Sequence, residues 1–247
     1  MAQLLTVSNV RKSFGGVQAL KDVSFDVKRG EIIGLIGPNG AGKTTLFNII
    51  AGVYKPDSGS VVFKDVKVMG LRPHQICGLG IARTFQLVKP FYSLTVLENV
   101  LVASRFGIKG KVRKGWDFAE HALTCLEFAG FSAKRHIQCG SLNLGEMKRV
   151  ELARALATQP ELLLLDEVMA GLNSVEIAEM MRLIERIRYE WGITVFMIEH
   201  VMKAIMGVSD RVIVLHHGEV IATGSPRDVV QMDGVIEAYL GGENIQL

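Results

Sequence analysis

The sequence has few cysteines, no long run of apolar residues and little excess charge of either sign. Cys77, Cys125 and Cys139 lie far apart and form no C-x-x-C pair, so neither a disulfide framework nor a zinc site is indicated. No stretch reaches the roughly 18 apolar residues that a membrane-spanning helix needs. The first residues do not resemble a secretory leader. We therefore expect a cytosolic protein with reduced cysteines.

Charge and composition exclude further classes of protein. The net charge of +3 over 247 residues is too small to indicate nucleic-acid binding by itself. Apolar residues make up 49% and charged residues 21%, close to the averages of folded globular proteins. Disordered and fibrous classes are thereby excluded, and the length suits either one large α/β domain or one such domain with a smaller subdomain.

The order of hydrophobic patterns predicts the fold class. Strand patterns at 23–27 and 32–36 precede a helical pattern at 43–51. Residues 95–129 have helical spacing, with a capping-box match at its start and a second helix at 116–128. Strand patterns then return, alternating with helices, at 162–165, 193–198 and 212–215. This alternation predicts an α/β fold with a mainly parallel sheet.

A glycine-rich loop follows the strand pattern at 32–36 and fits G-x-x-x-x-G-K-[ST]. The loop comprises Gly37, Pro38, Asn39, Gly40, Ala41, Gly42, Lys43 and Thr44, with Thr45 next. Its backbone N–H groups and the start of the following helix can surround a polyphosphate. Lys43 is expected to reach the terminal phosphates, and the Thr44 hydroxyl to ligate Mg²⁺. The alternative is a glycine-rich turn that fits by chance.

An acidic pair follows the apolar run at 162–165. Asp166 and Glu167 would emerge at the carboxyl end of a buried strand, where open parallel sheets bind ligands. Asp166 is expected to hold Mg²⁺ through water, and Glu167 to orient or deprotonate an attacking water. The alternative is an exposed acid pair with no catalytic role.

The next strand pattern, 193–198, is followed by His200, for which we expect a contact with a γ-phosphate. A structural histidine is the alternative. We expect five side chains to converge at one sheet edge around a magnesium-bound triphosphate: Lys43, Thr44, Asp166, Glu167 and His200.

Further residues resemble the ATPase domain of ABC transporters over nearly the whole chain. Gln86, in the segment 83–86, matches the family's Q-loop glutamine, which in relatives touches Mg²⁺ or the lytic water. Residues 142–146 stand in the place of the signature motif, followed by a family-like segment at 148–156. Phe14 lies where relatives carry an aromatic residue that stacks on adenine, and a core phenylalanine is the alternative.

The resemblance implies a P-loop NTPase fold of the ABC ATPase type, with an N-terminal antiparallel β subdomain and a helical insert. It implies a single domain over 1–247, with the nucleotide-binding core at 1–94 and 160–247 and a helical subdomain at about 95–159. The implied cofactors are ATP and Mg²⁺, and the implied reaction is ATP hydrolysis coupled to transmembrane transport.

The resemblance also implies partners. A second ABC ATPase subunit would present its signature, here Asn143 and Gly145, to the phosphate loop of the first. Two transmembrane permease subunits would meet the surface around Gln86 and the helical insert, and a complete importer would include a solute-binding protein. The chain would then be cytoplasmic and peripheral on the inner face of the cell membrane. No nucleic acid is expected.

Some segments look most like the ATPase of branched-chain amino acid importers. These are 83–86, 91–100 and the ending 236–241. Import of branched-chain or other hydrophobic amino acids is therefore the expected function. The lipopolysaccharide-export ATPase is a close alternative. A non-transport relative acting on nucleic acid would normally need a coiled-coil insert or two fused cassettes, and a P-loop kinase or GTPase would leave 142–155 unexplained.

Two departures from the family pattern bear on activity. Asn143, Leu144 and Glu146 replace Ser, Gly and Gln of the usual L-S-G-G-Q signature. Asn143 can still donate to a γ-phosphate and Gly145 keeps its N–H at a helix start, but Glu146 adds a negative charge near an anion. Asn173 stands where relatives often have an aspartate that acts across the dimer.

Overall fold

The computed structural model of the chain describes residues 2–107 and 117–240. These residues form two compact units. The first combines the described parts of Met1–Pro73 and Thr194–Leu247, and the second comprises those of His74–Ile193. In the described ranges, no helix is both long enough and apolar enough to span a membrane.

Strands dominate the first part of the chain, and helices alternate with strands afterwards. The strands are β1 (Gln3–Phe14), β2 (Val17–Lys28), β3 (Ile32–Ile36), β4 (Ser58–Phe63), β5 (Val66–Lys67), β6 (Ile81–Arg83), β7 (Leu162–Asp166), β8 (Thr194–Ile198), β9 (Arg211–His216) and β10 (Glu219–Gly224). The helices are α1 (Lys43–Ile50), α2 (Pro73–Leu79), α3 (Val96–Ser104), α4 (Phe118–Phe128), α5 (Leu144–Ala157), α6 (Ser174–Trp191), α7 (Met202–Val208), α8 (Pro226–Val229) and α9 (Asp233–Leu240). Short 3₁₀ turns lie at Ser132–Lys134 and Cys139–Ser141.

The first unit contains two kinds of strand pairing. One sheet is antiparallel, in the order β2-β1-β4-β5. In the other, β3 runs parallel to both β8 and β9, and β10 pairs antiparallel with β9. Leu35 of β3 is opposite Ile198 of β8. The carboxyl ends of these two strands therefore lie at the same edge.

Aromatic packing fixes α1 against the parallel strands of the first unit. The ring of Phe47 on α1 lies 4.9 Å from that of Phe196 on β8, and the Phe25 ring lies 5.5 Å from Phe196 on another side. Phe47 and Phe196 are fully buried. Burying one such side chain stabilises the folded state by about 1.5–3 kcal/mol. The loop that leads into α1 thus starts from a buried strand and ends at an anchored helix.

The second unit combines the parallel pair β6 and β7 with helices α3 to α6. Ile81 is opposite Leu162 in this pair, and every residue of β7 is buried. Helix α3 begins at a capping box in which Glu98 N–H donates to the Thr95 hydroxyl and Thr95 N–H donates to the Glu98 carboxylate. Two orphan backbone donors at the helix start are thereby satisfied.

The elements follow the sequence-based expectations closely. The parallel strands, the antiparallel N-terminal sheet and the capping box at Thr95 are present. Strand β2 is longer than the pattern at 23–27 indicated, and Trp116 of the predicted second helix lies outside the described residues. The predicted division into a core at 1–94 and 160–247 and a helical subdomain at 95–159 stays a prediction. The two compact units divide the chain at other points, after Pro73 and after Ile193.

Candidate ATP-binding and hydrolysis site

The glycine-rich loop joins β3 to α1 in a conformation that only glycine accommodates at two positions. Gly37 has a φ of 148°, and a Cβ there would lie 2.0 Å from the carbonyl oxygen of Leu215. Gly42, the N-cap of α1, has a φ of 104°, and a Cβ there would lie 2.5 Å from the carbonyl oxygen of Ala19. The loop backbone therefore approaches neighbouring strands too closely for a side chain.

Positive charge is concentrated where this loop enters α1. Lys43 is buried, and its Nζ donates to the carbonyl oxygens of Gly37 (2.6 Å) and Pro38 (2.9 Å). No side chain caps the N-terminus of α1, whose backbone N–H groups and dipole favour an anion. Thr44 is exposed and Thr45 half-buried. These features are suited to binding an anion such as phosphate.

His200 lies at the same strand edge as the glycine-rich loop. Gly37 directly follows β3, and His200 follows β8 by one intervening residue, Glu199. Since Leu35 and Ile198 are paired in parallel register, both chains leave the sheet at its carboxyl edge. His200 is exposed there, whereas Glu199 is buried.

Phe14 is a surface residue at the end of β1. Its side chain is 44% exposed, which rules out the core position that was its alternative. Its ring meets the edge of the Tyr54 ring at 5.2 Å, and Lys12 Nζ lies 5.2 Å from its centroid. An exposed aromatic face with a cation beside it is suited to stacking on a base.

In the second unit, β7 delivers Asp166 and Glu167 at its carboxyl end. Asp166 is 2% exposed, and its Oδ2 accepts from the Arg83 guanidinium at 2.7 Å. The Asp166 N–H donates to the Thr84 hydroxyl at 3.2 Å. Hydrogen bonds to both backbone and side chain therefore fix the orientation of this carboxylate.

Glu167 and Gln86 are brought together directly. Gln86 Nε2 donates to Glu167 Oε2 at 2.7 Å. Glu167 has a φ of 50°, in the left-handed region that non-glycine residues rarely adopt. Strained backbone of this kind clusters at active sites, where surrounding contacts hold it. Here Lys148 Nζ donates to the Glu167 carbonyl at 3.1 Å.

The donor groups are suitable for Mg²⁺. Nucleotide sites hold this ion with one or two carboxylates, a hydroxyl and the substrate phosphates. Asp166 offers a buried carboxylate with Arg83 on one oxygen, and Thr44 offers an exposed hydroxyl. Carboxylate and hydroxyl oxygens are ligands of the hard type that Mg²⁺ prefers.

The signature segment begins α5, and its acidic residue is compensated. Asn143 is the N-cap, where its Oδ1 accepts from Glu146 N–H at 2.8 Å and its own N–H donates to Glu146 Oε2 at 3.0 Å. An ion pair with Lys134 holds the pKa of Glu146 below its ordinary value. A Cβ at Gly145 would lie 2.6 Å from Glu176 Oε1, so the Glu176 side chain would have to shift to admit one. Glu146 is therefore a capping residue with a cationic partner.

Asn173 has a comparable structural role at the start of α6. Its Oδ1 accepts from the N–H groups of Val175 and Glu176, both at 3.0 Å, and its own N–H donates to the Glu176 carboxylate. This capping box needs a side-chain oxygen, which Asn and Asp both supply.

Three charged residues of this region were missed as functional candidates: Arg83, Lys148 and Glu151. All lie in segments quoted for the family resemblance, where no role was assigned to their charges. The signal was their spacing, since Lys148 and Glu151 lie on one face of α5 beside apolar residues. Both are buried in the fold.

Comparisons with known proteins agree with this geometry. The family model for ABC transporters matches residues 20–170, and a model described as branched-chain amino acid ATP-binding cassette transporter matches 219–244. The high-affinity branched-chain amino acid transport ATP-binding protein LivG of Escherichia coli is 40% identical, over 96% of this chain and 98% of that protein. The lipopolysaccharide export system ATP-binding protein LptB of Acidithiobacillus ferridurans is 34% identical, over 98% of this chain and 99% of that protein.

Solved structures give the same result. A crystal structure of an ATP-binding cassette of an ABC transporter in its ADP conformation superposes on this chain with a TM-score of 0.89. The two sequences are 33% identical, and the match covers 98% of this chain and all of that chain. A dimeric post-hydrolysis cassette bound to ADP and Pi has a TM-score of 0.80 at 31% identity, over 91% of this chain and 99% of that chain. The predicted fold type is confirmed. The chain belongs to the ABC transporter family and is one of its ATP-binding, ATP-hydrolysing proteins.

Proposed function

We propose that the chain is the ATPase subunit of an importer for branched-chain or other hydrophobic amino acids. The observation that carries the proposal is the 40% identity to a branched-chain amino acid transport ATP-binding protein over 98% of that protein's length. The match at residues 219–244 to a family model of the same description supports it independently of the general ATPase motifs.

Within this function, the glycine-rich loop binds the phosphates of ATP. Residues 37–45 surround them with the backbone N–H groups of every residue except Pro38. Lys43 contacts the terminal phosphates, and Phe14 stacks on adenine. Mg²⁺, when bound, neutralises charge that develops on the phosphates. Thr44, Gln86 and Asp166 are the residues that would hold it.

Glu167 acts on the attacking water. Its carboxylate accepts the proton of the water whose oxygen attacks the γ-phosphorus, while the bond from that phosphorus to the bridging oxygen of ADP breaks. Gln86 orients the water together with Glu167, and His200 contacts the γ-phosphate. The 2.7 Å hydrogen bond between Gln86 and Glu167 supports the pairing of these two residues.

The site is completed by a second ATPase subunit, identical or different. Asn143 and Gly145 of one subunit face the phosphate loop of the other, so that ATP is held between them. The side-chain amide of Asn143 can donate a hydrogen bond to a phosphate, and the start of the helix beside Gly145 favours an anion. Two permease subunits and a solute-binding protein complete the importer, which would hold this chain at the inner face of the cell membrane.

Lipopolysaccharide export is a second candidate, favoured by the 34% identity to LptB over nearly the whole of both chains. Co-purification from detergent-solubilised membranes distinguishes the two, because the permease partners captured with the tagged chain differ. The complex is then reconstituted in proteoliposomes with a solute-binding protein, and uptake of labelled leucine is measured with and without ATP. ATP-dependent leucine uptake is expected, whereas lipopolysaccharide extraction without uptake would favour the second candidate.

A further inference from the structure

One face of α5 carries three charged side chains on successive turns: Lys148, Glu151 and Arg154. Residues three apart lie one above another on a helix. Lys148 and Glu151 are buried, and burial lowers the pKa of Arg154. Buried charges are costly unless they have partners, so their partners indicate what this face does. We refer to the three residues as the α5 ladder.

The first member of the ladder holds the turn that follows β7. Lys148 Nζ donates to the carbonyl oxygens of Glu167 (3.1 Å) and Ala170 (2.5 Å). One ammonium group thus holds two carbonyls that lie three positions apart in the chain. This contact holds Glu167 in its left-handed conformation, with a φ of 50°.

The other two members hold the main chain on either side of Gln86. Glu151 Oε1 accepts from the Phe85 N–H at 2.8 Å. Arg154 Nη1 donates to the Lys89 carbonyl at 3.2 Å. The loop that carries Gln86 is therefore attached to α5 both before and after that residue.

The same helix face thus supports both ends of the 2.7 Å hydrogen bond between Gln86 and Glu167. Reacting groups need placement to a fraction of an ångström, and a misplacement of about 1 Å can cost about a hundredfold in rate. A carboxylate at position 151 is costly to the fold. Burial raises its pKa to about 7, with Asp166 adding to the effect, although Phe85 N–H, Arg154 and Lys148 favour the ionised form.

We propose that the α5 ladder positions the hydrolytic groups, with Glu151 fixing the main chain from which Gln86 reaches Glu167. Its members are positioning residues, since they act through the loop backbone and not on the nucleotide. The proposal rests on the proposed roles of Gln86 and Glu167. It assigns the helix that begins at the signature segment a second task, which is to hold the loops of its own subunit in register.

The test compares two substitutions of Glu151 in the full chain. Glu151→Gln keeps an oxygen that accepts from Phe85 N–H, whereas Glu151→Met fills the space without an acceptor. We expect kcat to fall about tenfold in E151M and less than about threefold in E151Q. The KM for ATP should stay within about twofold in both, because the phosphate loop is intact. Glu179→Met on α6 is the matched control, with an unchanged kcat expected.

Coupling to Gln86 separates positioning from a general effect on stability. In a Gln86→Ala background, E151M should cause little further loss of kcat, because the side chain that it misplaces is gone. The positioning role of the α5 ladder would be refuted if kcat fell equally in E151M and E151Q. It would also be refuted if E151M lowered kcat as much in the Q86A background as in the wild type. If E151M kept the wild-type kcat while Q86A was impaired, the ladder proposal would be refuted and the proposed role of Gln86 would stand. A wild-type kcat in Q86A would instead refute the proposed role of Gln86.

Should E151M not fold by circular dichroism, Lys148→Met carries the same test. It leaves Glu151 in place and releases the Glu167 carbonyl, so kcat should again fall about tenfold with KM within about twofold. Hydrogen exchange adds a second readout, since the Phe85 amide should exchange faster in every Glu151 variant that lacks an acceptor. An unchanged kcat in K148M would count against the ladder.

Discussion

Lys43 is a buried ammonium group held by two carbonyls of its own loop, those of Gly37 and Pro38. It brings a positive charge to a backbone that already favours anions. For Lys43→Ala we expect ATP to bind about 10–100-fold more weakly, since hydrogen bonds to charged groups contribute about 1.5–3 kcal/mol. Titration with a fluorescent ATP analogue measures this, and exposed Lys67→Ala is the control. Unchanged affinity in K43A would contradict the phosphate-loop assignment.

Glu167 combines a strained backbone with a side chain that bonds to Gln86. Glu167→Gln keeps the shape and removes the group that takes a proton. We expect steady-state phosphate release to fall at least about a hundredfold, while ATP binding is preserved and an ATP-bound dimer accumulates on size-exclusion chromatography. Normal turnover in E167Q would remove Glu167 from the mechanism.

Glu151 predicts a pH-dependent stability. Its folded pKa is raised from the ordinary 4.5 to about 7 by burial. The folded state thus binds the Glu151 proton more tightly than the unfolded state does. The free energy of unfolding therefore falls as pH rises from 4.5 through 7. Glu151→Gln should be more stable than the wild type by about 1–3 kcal/mol at pH 8, with a smaller difference at pH 5. Urea unfolding at the two pH values measures this, and a difference that grows toward low pH would show the sign to be wrong.

At the scale of elements, helix starts explain both departures from the family pattern. Asn143 caps α5 and Asn173 caps α6, each in a capping box with a glutamate three residues on. The side-chain oxygen needed at these positions is supplied by Asn as well as by Asp. The concern that Glu146 places an uncompensated charge at the signature is answered by Lys134.

Asn173 can be tested as a cap. Asn173→Ala should lower the free energy of unfolding by about 1 kcal/mol. Asn173→Asp should stay within about 0.5 kcal/mol of the wild type, because the capping oxygens are retained. Urea denaturation midpoints measure both. If alanine left the midpoint unchanged, the hydrogen bonds to Val175 and Glu176 would contribute nothing to stability.

At the scale of the whole molecule, the activity is expected to depend on pairing. One solved relative is a dimeric cassette bound to ADP and Pi. If each site combines the loop of one subunit with the signature of another, then K43A and Asn143→Ala should each be inactive alone. Mixing them should restore part of the ATPase rate, because mixed dimers contain one complete site. No gain on mixing, with dimers present by ultracentrifugation, would contradict the shared site.

Much of the nucleotide chemistry could be predicted from local sequence. The order strand, glycine-rich loop, Lys43 and helix specifies a phosphate loop, because the spacing of glycines and lysine sets which backbone groups point together. The apolar run at 162–165 likewise predicted that Asp166 and Glu167 lie at the carboxyl end of a buried strand, which the structure confirms, while their roles in hydrolysis stay a prediction. Convergence of all five predicted side chains around one triphosphate stays a prediction. Lys43 and His200 share a strand edge in the first unit, while Asp166 and Glu167 lie in the second.

The sequence by itself determined the fold class and the family and predicts the phosphate loop, because these depend on periodicity and on short motifs. Only the tertiary structure decided that Arg83 pairs with Asp166, that Lys134 neutralises Glu146 and that the α5 ladder reaches the Q-loop backbone. Those contacts join residues far apart in the chain. A charged residue looks the same in sequence whether water or a buried carbonyl surrounds it, and only packing settles which partner it meets.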